Sequence, residues 1–448
     1  MIFETAQHKL IIRIKKQSFV PEGANLLNCE QLPQIAFCIK QFCLYLFNKK
    51  NKMEKLFQKS YQKLYRVPTQ FKRYLADKID WNSRLIGIKG ARGAGKTTLL
   101  LQYAKEFLPQ DNQTLYASLD DLYFTGNTLV DFAEQFVIQG GKYLLLDEVH
   151  RYQKWSQELK NIYDDQPDLK IVFTGSSLID LNRAKGDLSR RAVMYELAGL
   201  SFREYLNFTQ ETDFEPVSLD QLLENHTNQA LQIVEKIRPL AHFSDFLEYG
   251  YYPYFKEAPR LYHQKLSETI SLALSIDLPS THDISFGSVE KIRLLLHIIS
   301  ESVPFKPNIS KLSERIGISR NSLIQFIRYL EDIRLIKCLY ANTKGIGALQ
   351  KPEKIYMHHP NLQYALATEN PNIGNVRESF FINQLGVLGP MKYTTEGDFA
   401  FRDSVFEIGG RGKTNKQVKH LDHSYVAADG LEVGHLHKIP LWLFGFLY

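Results

Sequence analysis

The sequence contains few cysteines, and their spacing excludes two kinds of structural site. Its 448 residues include four cysteines, at positions 29, 38, 43 and 338. They form no CxxC pair, and no histidine follows them at a spacing typical of zinc sites. We therefore expect neither a zinc centre nor a disulfide framework, and a reduced cytoplasmic protein fits this composition.

Long apolar runs are also missing. Residues 35–47 are the longest apolar stretch near the N-terminus, and these 13 residues are interrupted by Lys40 and Gln41. A helix that crosses a membrane needs about 20 apolar residues, and no signal-peptide cleavage pattern follows this stretch. The sequence therefore predicts no membrane contact.

A charge excess is absent from most of the chain. The net charge of +6 comes from 55 Lys and Arg against 49 Asp and Glu, but residues 1–52 alone contain eight basic and three acidic side chains. The other 396 residues contain 47 basic and 46 acidic side chains, so global basicity is no argument for nucleic-acid binding. Because of this shift in composition, we interpret residues 1–52 as an extension that is not native, with Met53 as the natural start.

What the sequence does contain is a regular alternation of predicted strands and helices. Apolar strand segments alternate with helical segments between Arg84 and Gly175. This order is typical of an α/β fold with a parallel sheet and crossover helices. At the usual domain size, a chain of this length divides into roughly three or four domains.

A phosphate-loop motif, G-x-x-x-x-G-K-[ST], follows the first of these strands and opens a helix. Its glycines let successive backbone N–H groups point inward around phosphate groups, next to the positive end of the helix. Lys96 is expected to neutralise the β- and γ-phosphates, and Thr97 to ligate Mg²⁺. The sequence therefore predicts ATP and Mg²⁺ as cofactors. The predicted binding residues are Gly90, Ala91, Arg92, Gly93, Ala94, Gly95, Lys96, Thr97 and Thr98.

A second motif is an apolar strand that ends in two acids, Asp147 and Glu148. Asp147 is predicted to hold the Mg²⁺ shell, and Glu148 to orient and deprotonate the attacking water. A further predicted strand lies between the two motifs. This order favours the division of P-loop proteins that uses a catalytic glutamate.

Two further polar positions are candidates for catalysis. Ser176 follows the strand KIVFTG and is the predicted sensor of the γ-phosphate. Arg190 and Arg191 follow the segment LNRAKGDLS, where an arginine finger would stabilise transition-state charge. The alternative, two solvated surface arginines, stays open at this point.

The segments GARGAGKTTLL, YLLLDEVHRYQKWSQELKNIYD, KIVFTGSS and LSRRAVMYELAGLSFREYL resemble bacterial and archaeal AAA-type ATPases that carry a C-terminal domain of unknown function. The resemblance covers Met53 to Tyr448 and supports a finger role for Arg190 or Arg191. The predicted domains are an ATPase at residues 53–205, a helical lid or linker at 206–300, a winged helix at 301–350, and a degenerate restriction-endonuclease-like domain at 351–448.

The resemblance to restriction endonucleases implies a second, incomplete metal site. Asp398 and Glu407 occupy the positions of the metal-binding acids, and Glu378 on the preceding predicted helix could join them. The lysine of the motif is absent because position 409 is glycine. Unless Lys413 or the nearby Lys416 replaces it, we expect binding without cleavage.

The function of the C-terminal part has open alternatives. The predicted second helix of the winged helix carries Arg320 and Arg328 but few other cations, so it could contact DNA or a protein partner. We expect Mg²⁺-dependent ATP hydrolysis that is coupled to these domains. A slow ATP-gated switch and an ATP-licensed nuclease are the alternatives, and the sequence leaves open whether the chain oligomerises.

Overall fold

The structure is a computed structural model that describes residues 53–176, 188, 190–282, 284–302, 304–341, 351–367 and 369–448. The chain divides into a unit of residues 1–56 and a larger unit of residues 57–448. The predicted extension at residues 1–52 and the tip of the predicted wing lie outside the described residues. All elements below belong to the larger unit.

A five-stranded parallel sheet forms the first part of this unit. Its strands are β1 (Leu85–Lys89), β2 (Thr114–Ser118), β3 (Tyr143–Asp147), β4 (Lys170–Gly175) and β5 (Val193–Glu196), in the order β2-β3-β4-β1-β5. Every pairing is parallel. Strand β4 therefore separates β1, which precedes the phosphate loop, from β3, which ends in the paired acids. The sheet confirms the predicted α/β class.

Crossover helices connect these strands. They are α1 (Lys96–Phe107), α2 (Leu129–Ile138) and α3 (Trp155–Asp165). Helix α2 begins where the Thr128 side chain accepts a hydrogen bond from the Asp131 N–H, which satisfies one unpaired donor at the helix start. Strands β3 and β4 are buried along almost their whole length, as is usual for strands inside a parallel sheet.

A helical part follows the sheet. It contains α4 (Phe202–Gln210), α5 (Leu219–Val234), α6 (Pro239–Tyr249), α7 (Tyr262–Leu272), α8 (Leu278–Thr281) and α9 (Phe286–Glu301). Residues Ala273–Asp277 form a π-helical turn between α7 and α8. Pro279 lies at the start of α8. Since proline has no N–H, it cannot continue the regular hydrogen-bond pattern of the preceding turn.

Two short helices and a two-stranded antiparallel hairpin come next. They are α10 (Ile309–Ile316), α11 (Arg320–Asp332), β6 (Ile336–Leu339) and β7 (Lys354–Met357). Gly317 ends α10 with a φ of 69°, and Phe305 forms a β-bridge with Ile355. This order of elements agrees with the expected winged helix, although that designation stays a prediction.

The chain ends in a mixed four-stranded sheet with two helices. These elements are α12 (Pro360–Leu366), α13 (Ile373–Leu385), β8 (Phe399–Phe401), β9 (Ser404–Gly409), β10 (Ser424–Ala428) and β11 (Lys438–Pro440). The strand order is β11-β10-β9-β8, in which only the β8–β9 pairing is antiparallel.

Buried side chains of the helical part, the hairpin and the C-terminal sheet form one continuous hydrophobic cluster. The three domains predicted beyond residue 206 therefore share one core, and the boundaries between them stay a prediction. Within the described residues, no helix is long and apolar enough to span a bilayer.

Candidate nucleotide site and C-terminal carboxylate cluster

The phosphate loop lies between β1 and α1, beyond the carboxyl ends of the parallel strands, where open α/β sheets bind ligands. Gly93 and Gly95 have φ values of 83° and 97°, a left-handed backbone that favours glycine. Helix α1 begins directly after them at Lys96. The loop backbone therefore leads into the positive end of a helix, an arrangement that suits phosphate groups.

Lys96 is folded against its own loop. Its Nζ donates to the carbonyl oxygens of Gly90 and Ala91 at 2.9 and 3.0 Å. Burial lowers the pKa of this ammonium group, and the negative charges of Glu148 and Asp147 oppose the effect. Phosphate oxygens are charged acceptors and would be stronger partners for Lys96 than the two carbonyl groups.

Three hydroxyl groups surround the Asp147 carboxylate. Thr97 and Tyr116 donate to its Oδ2 at 2.8 and 2.7 Å, and Thr174 donates to its Oδ1. Asp147 itself is 3% exposed. A carboxylate next to the Thr97 hydroxyl offers the oxygen ligands that Mg²⁺ prefers, so the residues present fit this ion.

Glu148 has an unusual backbone. Its φ is 54° and its ψ is 41°, in the left-handed region that residues with a side chain rarely adopt. Burial raises the pKa of its carboxyl group; the positive charge of Lys96 opposes this shift and Asp147 adds to it. Strained backbone is common at binding sites, which agrees with the predicted role of Glu148.

His150 lies against Glu148 and was not predicted. Its Nδ1 accepts a hydrogen bond from the Ser176 N–H at 3.3 Å, so the neutral ring carries its proton on Nε2. That nitrogen lies 3.3 Å from Glu148 Oε2, and it is buried without a hydrogen bond to any described residue. Burial lowers the pKa of His150 to about 4, which keeps the ring neutral near pH 7.

The predicted γ-phosphate sensor and the predicted arginine finger lie in different places relative to the phosphate loop. Ser176 directly follows β4 and is buried, but the β4 hydroxyl that reaches Asp147 is that of Thr174. Arg191 donates to Asp164 of α3 through Nε and Nη2, each at 2.9 Å, and Arg190 is exposed. Neither arginine lines the cavity at the phosphate loop, so both finger roles stay predictions.

A cavity of about 1020 Å³ adjoins the phosphate loop. Its lining includes the loop and helix residues Lys96, Thr97 and Thr98. It also includes Phe71 and Phe208, whose ring centroids are 4.7 Å apart. The cavity therefore combines polar loop groups with aromatic rings, as is typical of ligand sites.

Arg73, which precedes β1, contacts the phosphate loop. Its role was also not predicted. Its Nε donates to Glu204 Oε1 at 3.0 Å, and its guanidinium also donates to the carbonyl oxygen of Ala94 in the loop. Burial alone would lower the Arg73 pKa, but the charge and hydrogen bond of Glu204 raise it overall. Glu204 lies on α4, so this pair joins the phosphate loop to the helical part.

The C-terminal acids form what we call the carboxylate cluster: Glu378, Asp398 and Glu407. Lys413 Nζ lies 2.5 Å from Glu407 Oε2. In the amide orientation that satisfies its hydrogen bonds, Gln417 donates to both Glu407 oxygens, at 2.6 and 2.9 Å. Asp398 accepts from the backbone of β9 at 2.8 Å, and Glu378 accepts from a tyrosine hydroxyl, also at 2.8 Å.

Gly409 makes room for Lys413. A Cβ atom at position 409 would lie 2.8 Å from both Cβ and Cγ of Lys413, which is closer than real contacts allow. Burial lowers the Lys413 pKa, but the hydrogen bond to Glu407 and the negative charges of the cluster outweigh it, so the pKa is raised. Lys413 therefore occupies the space that a lysine at position 409 would need.

The sequence implies a metal site at the carboxylate cluster. In the part of the chain that the structure describes, no group of three or more His, Cys, Asp or Glu side chains is arranged to hold a metal ion. Burial and the charge of Asp398 raise the Glu378 pKa. The second metal site proposed from the sequence is thus a cluster of charges, and its metal binding stays a prediction.

Two family models match separate parts of the chain. Residues 82–206 match the family described as AAA domain, and residues 240–372 match a domain of unknown function (DUF8612). An uncharacterized protein of Methanocaldococcus jannaschii is 28% identical over 285 residues, which are 60% of this chain and 60% of that protein. The chain therefore matches less than two thirds of the length of this relative.

Two solved structures also match this chain. AMPPCP-bound DnaA from Aquifex aeolicus has a TM-score of 0.24 and 17% identity, over 58% of this chain and 84% of that chain. The Aeropyrum pernix ORC1 protein in complex with DNA has a TM-score of 0.29 and 14% identity, over 70% of this chain and 92% of that chain. At these TM-scores neither structure carries an argument about function. The match of residues 82–206 agrees with the parallel sheet and the phosphate loop, and this part of the chain is similar to AAA domains.

Proposed function

We propose that this protein binds ATP with Mg²⁺ and hydrolyses it to ADP and phosphate. The observation that carries the proposal is the contact between Thr97 and Asp147. These two residues come from different motifs, yet the Thr97 hydroxyl donates to the Asp147 carboxylate at 2.8 Å. Together with Lys96 and Glu148 they supply groups suited to phosphate binding, Mg²⁺ ligation and activation of the attacking water.

Each residue has a defined task in this mechanism. Lys96 leaves the carbonyl oxygens of Gly90 and Ala91 and binds the β- and γ-phosphates. Thr97 and Asp147 would hold Mg²⁺, which would neutralise the charge that develops on the phosphates. Glu148 accepts the proton of the attacking water. Burial raises the pKa of this carboxyl group, and the positive charge of Lys96 opposes the shift.

A Lys96→Ala variant tests the proposal. Removal of the ammonium takes away the main cationic partner of the phosphates, so ATP affinity should fall about 100-fold or more, since truncating one partner of a buried charge pair costs roughly 2–5 kcal/mol. Equilibrium binding of a fluorescent ATP analogue and phosphate release measure the two steps. Lys142→Ala, which removes an exposed lysine at the start of β3, is the control. Equal affinity in wild type and Lys96→Ala would exclude this site.

The proposal includes coupling to a partner of the later domains. A slow switch differs from an ATPase in turnover alone, because a switch needs only different affinities of its two states for ATP. Measurement of phosphate release with and without DNA distinguishes the slow switch from the ATPase. Helix α11 exposes Arg320 and Asn321, a small basic surface that suits DNA or an acidic protein. A turnover rate that DNA leaves unchanged favours a protein partner.

A second candidate function is hydrolysis of nucleic-acid phosphodiester bonds at the carboxylate cluster, and it is favoured by the position of Lys413. The restriction-endonuclease motif lacks one part in this chain, a cation beside the charge that develops in the transition state. The pairing of Lys413 with Glu407 at 2.5 Å supplies this cation from the next turn of the chain. The reaction forms a bond between water oxygen and phosphorus and releases the sugar oxygen as a hydroxyl group.

Incubation with single- and double-stranded DNA and RNA, ATP and Mn²⁺ tests this second candidate. Cleavage that disappears in Asp398→Ala and in Lys413→Gln, but persists in Lys416→Gln, would support it. Lys416 is exposed and is therefore a matched control for removal of one lysine from the same segment. Retained binding without any cleavage would leave the cluster a recognition site, as the sequence predicts.

A further inference from the structure

Asp277 of the helical part reaches the phosphate loop. It ends the π-helical turn Ala273–Asp277, and π-helical turns are frequent at functional sites. The Asp277 side chain is 4% exposed. A buried carboxylate at this position needs a charged partner, because an isolated one would be strongly destabilised.

That partner is Arg92, a variable position of the phosphate-loop motif. Arg92 Nη2 lies 2.8 Å from Asp277 Oδ1, and Arg92 Nε lies 3.3 Å from Oδ2. Two parallel N–H groups on one carboxylate form a bidentate pair, which is a strong and directional ion pair. The pair joins the AAA-type domain to the region that matches the domain of unknown function.

Asp277 also acts on the groups proposed for catalysis. Burial lowers the pKa of Lys96 and raises that of Glu148; the Asp277 charge opposes the first shift and adds to the second. Among the neighbouring charges, that of Asp277 acts most strongly on the pKa of His150. A second contact from the same region lies beside it, since a Cβ atom at Gly93 would lie 2.6 Å from the Tyr254 ring. The helical part therefore holds the loop at two points, one apolar and one ionic.

We propose that Asp277 is a built-in competitor of the nucleotide γ-phosphate: it holds Arg92 in an ion pair that is released when ATP occupies the loop. The proposal rests on the proposed binding of ATP at this site. A carboxylate next to a site for three phosphate groups is repelled when they bind, and Arg92 then has phosphate oxygens as alternative partners. The region of residues 240–372 thereby reports the presence of the γ-phosphate.

Reciprocity gives the measurable consequence. If ATP weakens the contact of Asp277, then loss of that contact must strengthen ATP binding by the same factor. Asp277→Asn should raise ATP affinity about tenfold, which corresponds to about 1.4 kcal/mol. ADP lacks the γ-phosphate that competes with Asp277. By the same linkage, the affinity for ADP should rise less than about threefold in this variant.

The experiment measures Mg²⁺-ATP and Mg²⁺-ADP affinities of the full chain for wild type, Asp277→Asn, Lys96→Ala and Glu268→Gln. Glu268 is exposed on α7, so its variant removes the same charge from the same segment. The ratio of ATP to ADP affinity should rise in Asp277→Asn alone. A purely structural role of the pair would lower thermal stability and leave this ratio unchanged, which would overturn the inference.

Hydrogen exchange provides a second readout. Exchange at residues 273–281 should become faster when a non-hydrolysable ATP analogue binds the wild type, and it should already be fast in nucleotide-free Asp277→Asn. Lys96→Ala should show no response to the analogue. If the wild type binds no ATP, the proposed function itself fails. If the wild type binds ATP with unchanged exchange at these residues, only the present inference fails.

Discussion

The phosphate loop and the carboxylate cluster are the two regions of this chain that carry residues for phosphate chemistry, and they are built differently. In the phosphate loop, most of the important groups belong to one contiguous motif, and the fold adds Asp147 from β3, which lies two strands away from β1. In the carboxylate cluster, the motif lacks its lysine, and a turn after β9 brings Lys413 to Glu407. A contiguous motif fixes its own geometry, whereas a scattered one depends on the loop that completes it.

The largest expected effect lies at the nucleotide site. Glu148→Gln should lower the turnover rate about 1000-fold, since an amide cannot take the proton of water and general base catalysis contributes roughly 100- to 10,000-fold. ATP affinity should stay within about threefold, because Mg²⁺ ligation by Asp147 is intact. Phosphate release and equilibrium binding measure both values. Glu134→Gln on the exposed face of α2 is the control, and lost ATP binding in Glu148→Gln would contradict the role assigned to this residue.

The next effect concerns the buried ion pair of Arg73 and Glu204, which supports the phosphate loop. Glu204→Gln leaves the Arg73 charge buried without its counter-ion, and such changes lower the free energy of unfolding by roughly 3–5 kcal/mol. Urea denaturation measures the loss. The double variant Arg73→Met, Glu204→Leu should regain part of this stability but bind ATP more weakly. A double variant no more stable than Glu204→Gln would count against a buried charge as the cause.

A smaller effect is expected where the carboxylate cluster departs from its motif. Gly409→Lys should lower the free energy of unfolding by about 1–3 kcal/mol, as overpacking of a closed space usually does, because its Cβ atom collides with Lys413. Adding Lys413→Gly to this variant should restore most of the loss. Thermal denaturation of both variants is the measurement. Gly409→Lys with wild-type stability would show that Lys413 does not need this space.

The smallest effect depends on pH and concerns the contact between the helical part and the C-terminal part. His359 is fully buried, both ring nitrogens lack hydrogen bonds to described residues, and its ring stacks on Tyr251 at 4.0 Å. Burial lowers the His359 pKa well below 6.5. At pH values between this lowered pKa and about 6.5, only the unfolded chain binds the proton. The free energy of unfolding is therefore constant above about pH 6.5 and falls as the pH decreases below it.

His359→Phe should remove this part of the pH dependence. Between pH 7.5 and 5.5 the wild type should lose about 1 kcal/mol more stability than the variant, since one pKa unit corresponds to about 1.4 kcal/mol. Denaturant titrations at the two pH values give the difference. His423→Gln, which changes an exposed histidine, should retain the wild-type pH dependence. Parallel curves for wild type and His359→Phe would contradict the assignment.

The sequence predicted the elements of the nucleotide site better than the contacts between them. The alternation of strands and helices predicted the parallel sheet, because buried strands and crossover helices have distinct periods. The pattern of an apolar strand that ends in two acids assigned Asp147 to the Mg²⁺ shell, and the structure brings its carboxylate to the Thr97 hydroxyl. Tyr116 and Thr174, which also donate to Asp147, were not predicted, since hydroxyl residues in apolar strands carry no motif.

No pattern in the sequence indicated the contacts between residues that are far apart in the chain. Arg73 and Glu204 are 131 positions apart, and Arg92 and Asp277 are 185 apart, so no local pattern could pair them. Arg191 was singled out by its place in a resembling segment, yet it pairs with Asp164. Lys413 was named as a replacement for the missing lysine, but its contact with Glu407 depends on the turn after β9.

The left-handed backbone of Glu148 has a consequence for heat tolerance. A glutamate at a φ of 54° is less stable there than asparagine, which adopts this conformation more readily. Burial also disfavours its charged form. Glu148→Asn should therefore melt at a higher temperature than the wild type while it loses activity. Selection for thermostable variants of this protein would be expected to return inactive ones at this position, because stability and activity make opposite demands on it.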